Sequence, residues 1–339
     1  MGLRSGVAID LGTVNTLVYV TGRGIVIDEP TAIGIDRRTG TVAAAGLAAD
    51  ALTGKETLDV EVLHPLRDGV IADLEATVAM LQAFLVRARV RRGVGRVPCV
   101  ICLPGEATEV ERQSVAAAGE ALRPRFSIQL VDEPVAAAAG AGFDLEAGTG
   151  SFIVDIGGGT TETAVLAGSH VVRARSLRVG GNAMDEAIAR AVRQEHELLL
   201  GRDAARGLKT TLGIGESAAI SHMEIVGIDA RRRTPRVARV STELVAAAVE
   251  PMVRAIIGSV TELLADIPPN LAEDVFRGKI RLAGGGAMLP GLAYQIEAAA
   301  DIAAVVVEDP LRCVIRGAAQ ILEHGTLLPG SGLSGLGTA

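Results

Sequence analysis

The chain has 339 residues, 49% of them hydrophobic, enough for a large core shared between two lobes. A net charge of −7, no tryptophan and only 2% aromatic residues argue against a nucleic-acid-binding protein, which needs a basic face or stacking platforms. The three cysteines, Cys99, Cys102 and Cys313, fit a reduced, cytoplasmic chain rather than a disulfide framework.

Met1–Ser5 leads straight into a first strand, leaving no room for a signal peptide, and no apolar run reaches the length of a membrane-spanning helix. Val7-Ala8-Ile9 and Leu17-Val18-Tyr19-Val20 flank Asp10-Leu11-Gly12-Thr13-Val14-Asn15-Thr16. This pattern predicts a hairpin with an acid at the end of its first strand and a glycine turn at its tip. Strands continue to about residue 35, with turns expected at Gly22-Arg23-Gly24 and Asp28-Glu29-Pro30. Residues 41–68 are mixed and polar, as in a small inserted subdomain. Leu74, Val78, Leu81 and Leu85 stand at helical spacing, predicting a helix over 73–90. A basic loop follows, with Arg87, Arg89, Arg91, Arg92 and Arg96. Val97–Leu103 reads as a strand, so Cys99 and Cys102 point to opposite faces and cannot share a metal. Thr108 and Glu111 form a capping box for the next helix. After a strand over Phe126–Val131, Asp132-Glu133-Pro134 opens an alanine-rich helix to Gly140 or Gly142, with Asp132 as its N-cap.

The second half begins with a second glycine hairpin. Phe152-Ile153-Val154 precedes Asp155-Ile156-Gly157-Gly158-Gly159-Thr160-Thr161-Glu162, and Ala164-Val165-Leu166 follows it. Helices are expected over 183–200 and 204–212, and strands over 221–240 with Arg231-Arg232-Arg233 at a turn. A long helix over 242–265 should end at Pro268-Pro269. Lys279–Leu282 reads as a strand leading into Gly284-Gly285-Gly286, and Val305-Val306-Val307 as the last strand. Asp309 as N-cap and Pro310 at the first helical position should open a closing helix to about Glu323, and 325–339 reads as a flexible tail. Strand–helix alternation in both halves predicts an α/β protein with ligands at the sheet ends.

The two hairpins carry a definite chemistry. Glycine lets backbone N–H groups approach a phosphate with no Cβ in the way. The adjacent aspartate offers a hard oxygen, direct or through water, to a phosphate-bound Mg²⁺. One such turn is weak evidence, but two in one chain point to two similar lobes gripping one nucleotide.

Five segments stand in order: Asp10–Thr16, Glu133–Ala137, Asp155–Glu162, Gly180–Asp185 and Ala283–Leu292. Their order and spacing resemble the actin/Hsp70/sugar-kinase ATPase superfamily. With Asp68-Gly69-Val70-Ile71-Ala72-Asp73, Thr108-Glu109-Val110-Glu111-Arg112 and Glu308-Asp309-Pro310-Leu311 added, the chain resembles the bacterial actin family MreB/Mbl over roughly residues 6–323. The resemblance implies an actin-like, two-lobed ATPase fold. Each lobe would be a ribonuclease-H-like mixed sheet with flanking helices and a small inserted subdomain. Lobe I would span 1–143, with its insert at about 31–67. Lobe II would span 144–309, with its insert at about 180–243, and a closing helix over 310–324 would pack back on lobe I.

The resemblance further implies a slow, Mg²⁺-dependent ATPase that polymerises with itself into filaments on the inner face of the cytoplasmic membrane. There it would organise cell-wall synthesis and cell shape together with membrane proteins of cell-wall elongation. Asp10 and Asp155 would hold Mg²⁺ through water. Gly12, Thr13, Val14 and Asn15 would clasp the phosphates from one side, and Gly157, Gly158, Gly159 and Thr160 from the other. Glu133 would position the attacking water, with its pKa held low by the helix N-terminus. Gly284, Gly285, Gly286, Ala287 and Met288 would pack on the purine, with Gly181, Asp185 and Lys209 near the ribose and base.

Two features depart from the family pattern. Arg206 stands where the family usually has a ribose-binding glutamate. The family also usually reaches the membrane through an amphipathic N-terminal helix or a hydrophobic loop, and here the candidate is the basic Arg87–Arg96 loop. Such a loop could bind anionic lipid at about 1 kcal/mol per basic residue, or be a solvated loop or polymer contact. A nucleotide-binding scaffold without turnover and a small-molecule kinase of the same superfamily are the competing functions.

Overall fold

Two five-stranded sheets of identical plan organise the chain. The computed structural model describes residues 6–54, 59–90, 96–122, 126–214 and 220–324. In lobe I the strands run Phe126–Asp132, Val97–Leu103, Val7–Leu11, Asn15–Val20, Gly24–Pro30 across the sheet. In lobe II the order is Ala304–Val306, Ile280–Ala283, Gly150–Ile156, Thr161–Ala167, His170–Leu177. Each sheet is an antiparallel three-stranded meander with two parallel strands added beside its first strand. The central strands are covered on both faces, which is why they read as unbroken apolar runs rather than alternating ones.

The strand Val97–Leu103 shows how the faces divide. Cys99 and Ile101 join Met80, Leu81 and Phe84 of the helix Leu74–Arg87 on one side. Val100 and Cys102 join the helices Glu133–Gly140 and Cys313–His324 on the other. The two cysteines are thus free, buried and on opposite faces, as i,i+3 spacing in a strand requires. That second core also takes in Ile153, Ala164, Leu166 and Ala283 of lobe II, so it joins the lobes. The two helices in it approach very closely: a Cβ on Gly317 would lie 1.7 Å from the Ala136 carbonyl oxygen. The alanine run therefore lets the closing helix clamp the helix that begins at Glu133.

The insert of lobe I is a three-stranded sheet of Ile33–Asp36, Val42–Ala45 and Val60–Leu63 with the short helix Leu47–Asp50. The insert of lobe II carries the helices Gly181–His196 and Arg202–Leu212 and a sheet of Leu198–Leu199, His222–Asp229 and Pro235–Ser241. Arg231–Arg233 does sit at its hairpin turn, where the Asp229 carboxylate accepts the Arg231 and Arg232 amides at 3.0 and 2.8 Å. The capping box at Thr108 and Glu111 is complete in both directions.

Several expectations need correction. Asp28-Glu29-Pro30 is no turn but the end of a strand, and Glu29 turns inward to pair with Arg87 and accept the Leu47 amide at 3.1 Å. Arg87 is therefore a helical residue engaged with a buried carboxylate, not part of a free basic loop, and Val90 is buried. Residues 91–95 of that loop lie outside the described residues. The helix expected over 183–200 is Gly181–His196, stopped by Glu197 in a left-handed conformation before a two-residue strand. Pro269 ends nothing further but opens a helix, Pro269–Gly278, and Leu292–Ala300 is another helix beyond the expected set. Asp309 makes no side-chain cap: Pro310–Arg312 is a 3₁₀ turn, and the α-helix starts at Cys313. Asp132 does not cap either, because its carboxylate is drawn to Arg112 at 2.9 Å. Finally, Thr242–Ala265 is, by its 24 residues and mean hydropathy of 1.5, long and apolar enough to cross a membrane. Its Val245, Val249, Val253, Ile256, Val260 and Leu263 stripe is buried in the lobe II core, which marks it as a core helix.

Candidate functional site

A cleft of about 500 Å³ lies between the lobes, with the tips of the two glycine hairpins in its walls. Strand register places Asp10 opposite Leu17 and Asp155 opposite Glu162, so each aspartate ends the first strand of its lobe beside its own tip. The two turns close with the same hydrogen bond: the Gly12 amide donates to Asn15 O at 3.1 Å, and the Gly157 amide to Thr160 O at 2.8 Å. The tips also interlock. A Cβ on Gly158 would lie 2.1 Å from Val14 Cγ2, and one on Gly159 would lie 2.8 Å from Thr13 Oγ1. Thr13 Oγ1 in turn accepts the Gly69 amide at 2.8 Å. Each lobe thus reads the other through its hairpin.

The start of the helix Gly181–His196 is fixed to the second hairpin. The Gly181 and Asn182 amides donate to Gly157 O and Gly158 O at 3.0 and 2.9 Å. One turn further in, Asp185 is buried and paired with Lys209 at 2.7 Å, while Lys209 Nζ also donates to Gly181 O at 2.9 Å. Arg206, on the same helix as Lys209, reaches Asp185 with Nε at 3.6 Å. Across the cleft, Gly284 takes a positive φ of 77° and passes so close to Asp155 that a Cβ would lie 2.4 Å from Oδ1. Met288 is half exposed and forms part of the wall.

The structure brings Asp10, Gly12, Thr13, Val14, Asn15, Glu133, Asp155, Gly157, Gly158, Gly159, Thr160, Gly181, Asp185, Lys209, Gly284, Gly285, Gly286 and Met288 together in this one cleft. Ala287 is buried behind the wall and does not line it. Glu162, Asn182, Arg206 and Thr210 line it as well, beyond the candidates drawn from the sequence. Glu162 left a signal in the sequence: a single charge in Thr161–Ala167, where every residue up to Leu166 is buried.

Electrostatically the floor of the cleft is acidic. Burial pushes Asp10 and Asp155 each up to about 7, with a further push on Asp10 from Asp28 and on Asp155 from Asp10. Burial also pushes Glu162 up to about 7, against the bond it accepts from Ser176 Oγ at 2.5 Å. Glu133 rises well above the usual carboxylate range, through burial first and then through Asp10, Glu162, Asp155 and Asp132. This corrects the expectation that the helix N-terminus holds Glu133 low, because burial, with four neighbouring carboxylates, outweighs one helix dipole. Asp155 Oδ1 is buried with no hydrogen-bond partner. Two hard carboxylates, one oxygen of them unsatisfied, beside two glycine turns fit a Mg²⁺ that keeps waters and phosphate oxygens as its other ligands.

Duplicated sheets, paired phosphate-type hairpins and a carboxylate floor between them define an actin-like fold built around a nucleotide-type cleft. Comparison with known proteins agrees. The family model described as MreB/Mbl protein matches residues 4–328. The chain is 37% identical over 322 residues to the cell shape-determining protein MreB of Escherichia coli (strain K12), covering 93% of this chain and 92% of that protein. It is 34% identical over 324 residues to the cell shape-determining protein Mbl of Bacillus cereus, covering 95% and 97%. The crystal structure of Spiroplasma citri MreB5 bound to ADP superposes with a TM-score of 0.86 at 31% identity, covering 95% and 97%. The chain belongs to the MreB/Mbl family. A MamK double helical filament, at 24% identity and a TM-score of 0.79, shares the fold.

Proposed function

We propose that this chain binds Mg-ATP, hydrolyses it slowly and polymerises with copies of itself into filaments that organise cell-wall synthesis and cell shape. The observation that carries this reading is the interlocking of two equivalent hairpins, each with a buried aspartate, across one cleft. Its relatives are named as cell shape-determining, and MreB5 of Spiroplasma citri is solved with ADP and with AMPPNP.

In this reading the amides of Gly12–Asn15 and Gly157–Thr160 bind the β- and γ-phosphates, and Asp10 and Asp155 hold Mg²⁺ or its waters. The cation would neutralise phosphate charge and so open the γ-phosphorus to attack. Glu133 accepts a hydrogen bond from the attacking water and orients it. Closure of the two lobes, interlocked at the hairpin tips and joined by the shared core, would exclude water from that compartment. Gly284–Gly286 and Met288 offer the apolar surface for the purine. Filaments would lie on the inner face of the cytoplasmic membrane, in the cytoplasm, and engage membrane proteins of cell-wall elongation. The basic residues from Arg89 to Arg96 would supply the attraction to anionic lipid, without Arg87.

Pelleting and negative-stain imaging of the purified protein with Mg-ATP, Mg-ADP and no nucleotide, beside Asp155→Ala, tests the proposal. ATP-dependent filaments lost in the variant support it. Nucleotide binding without polymer at any concentration would replace it with a nucleotide-binding scaffold.

A further inference from the structure

We propose that the inner end of the cleft holds a cationic subsite, centred on Arg206, for a phosphate carried on the ribose of the bound nucleotide. The inference rests on the nucleotide reading of the cleft and adds a ligand class to it.

The charges of the cleft are sharply divided. Its floor carries the four carboxylates Asp10, Glu133, Asp155 and Glu162. One helical turn beyond the second hairpin, the balance reverses: Asp185 faces both Lys209 and Arg206. Lys209 is buried, and Asp185 and the Gly181 carbonyl already engage its Nζ. That pair is neutral by itself, so Arg206 brings an uncompensated positive charge.

The geometry of Arg206 is that of a presented guanidinium. It approaches Asp185 through Nε at 3.6 Å, too long for a hydrogen bond, and its side chain is 41% exposed. Its two Nη groups have no partner among the described residues, although they belong to a residue of the cleft wall. A guanidinium offers its N–H donors as a planar fork, which matches the paired oxygens of a phosphate. The hydroxyl of Thr210, which also lines the cleft, bonds back to its own helix at Arg206 O.

Position selects where on the ligand that phosphate sits. Gly181 is bonded to the phosphate hairpin, and Asp185 lies four residues later on the same helix, about 6 Å along its axis. This is the separation between a nucleotide's 5′-phosphates and the far edge of its ribose, where the 2′ and 3′ oxygens are. An unmodified ribose offers Arg206 only neutral hydroxyl oxygens. A 2′- or 3′-phosphate would satisfy both Nη groups and the excess charge at once. The ligand class is a nucleoside 5′-di- or triphosphate phosphorylated at the 2′ or 3′ oxygen.

Calorimetric titration of the full chain, in Mg²⁺, compares ADP with 2′-phospho-ADP and 3′-phospho-ADP, with GDP as a control for base reading. Native protein should bind one of the two phosphorylated ADPs about tenfold or more tighter than ADP, and Arg206→Gln should bind it no tighter than ADP. Arg206→Lys, which keeps the charge but not the fork, should retain part of the preference. Equal affinities in the native protein, or a preference that survives in Arg206→Gln, overturn the subsite. A tenfold preference for GDP that Arg206→Gln removes also overturns it, because Arg206 would then read the base. Failure of ADP itself to bind would instead defeat the nucleotide reading.

Discussion

Asp155→Asn should stabilise the protein in chelator at pH 8 while abolishing its stabilisation by Mg-ADP. Asp155 moves from 3.8 to about 7 on folding, by burial and by Asp10. Between those values the folded chain keeps a proton that the unfolded chain has lost. Stability from this group is therefore complete below about pH 4 and is lost as pH rises to about 7. A gap of about 3 pH units corresponds to roughly 4 kcal/mol at 1.36 kcal/mol per unit. Asp10 shows the same rise, partly from Asp28, so the two effects overlap and do not simply add.

An asparagine carries no charge at any pH, but its buried amide still lacks partners. Half the gain, about 2 kcal/mol, is the expected net stabilisation at pH 8. Thermal unfolding in EDTA at pH 5, 6, 7 and 8 measures it. The native melting temperature minus that of Asp155→Asn should fall from pH 5 to 8, which isolates this group from the other titrating carboxylates. Mg-ADP should flatten the native curve, because a bound cation replaces the proton, and should leave the variant unmoved. If Asp155→Asn melts below the native protein at pH 8 in EDTA, or if the difference rises with pH, burial does not govern this carboxylate.

Gly158→Ala should weaken ADP binding about tenfold, because its Cβ would fall 2.1 Å from Val14 Cγ2 and force the hairpins apart. Val14→Gly in the same chain should restore most of the affinity in a titration. Independent, additive losses in the two single variants would show that the tips do not touch. Thr108→Ala removes one half of a complete capping box and should cost about 1 kcal/mol in denaturant unfolding without changing ADP affinity.

Much of this architecture was legible because it depends on short-range chemistry. The paired hairpins follow from an acid, glycines and flanking apolar strands. The opposite faces of Cys99 and Cys102 follow from strand geometry, and the capping box from four residues of local sequence. What escaped depends on distant partners. Asp132 has the composition of an N-cap, but Arg112, twenty residues earlier, comes within 2.9 Å of it. Glu29 looks like a turn acid until the helix carrying Arg87 is packed beside it. Glu133 has the helix position of a depressed carboxylate, yet the fold gathers Asp10, Glu162, Asp155 and Asp132 around it. In each case burial or a partner set by the tertiary fold decided the outcome, and no local pattern encodes it.

The duplication explains why the acidic floor can exist at all. Each lobe contributes one aspartate from an equivalent strand end, and the two meet only when the hairpins interlock. Asp10 adds to the rise that burial imposes on Asp155, so charge repulsion between the two opposes lobe closure. The apolar core joining the lobes through Glu133–Gly140 and Cys313–His324 opposes that repulsion. A divalent cation with a polyphosphate would remove the repulsion and leave the core contacts intact, so closure and ligand binding become one equilibrium. Glu133 stands at the first residue of a helix clamped in that joining core. Closure therefore sets its position relative to the Asp155 hairpin of the other lobe. The proposed hydrolysis would then depend on whatever stabilises closure, and contacts between neighbouring subunits of the proposed filament would do so.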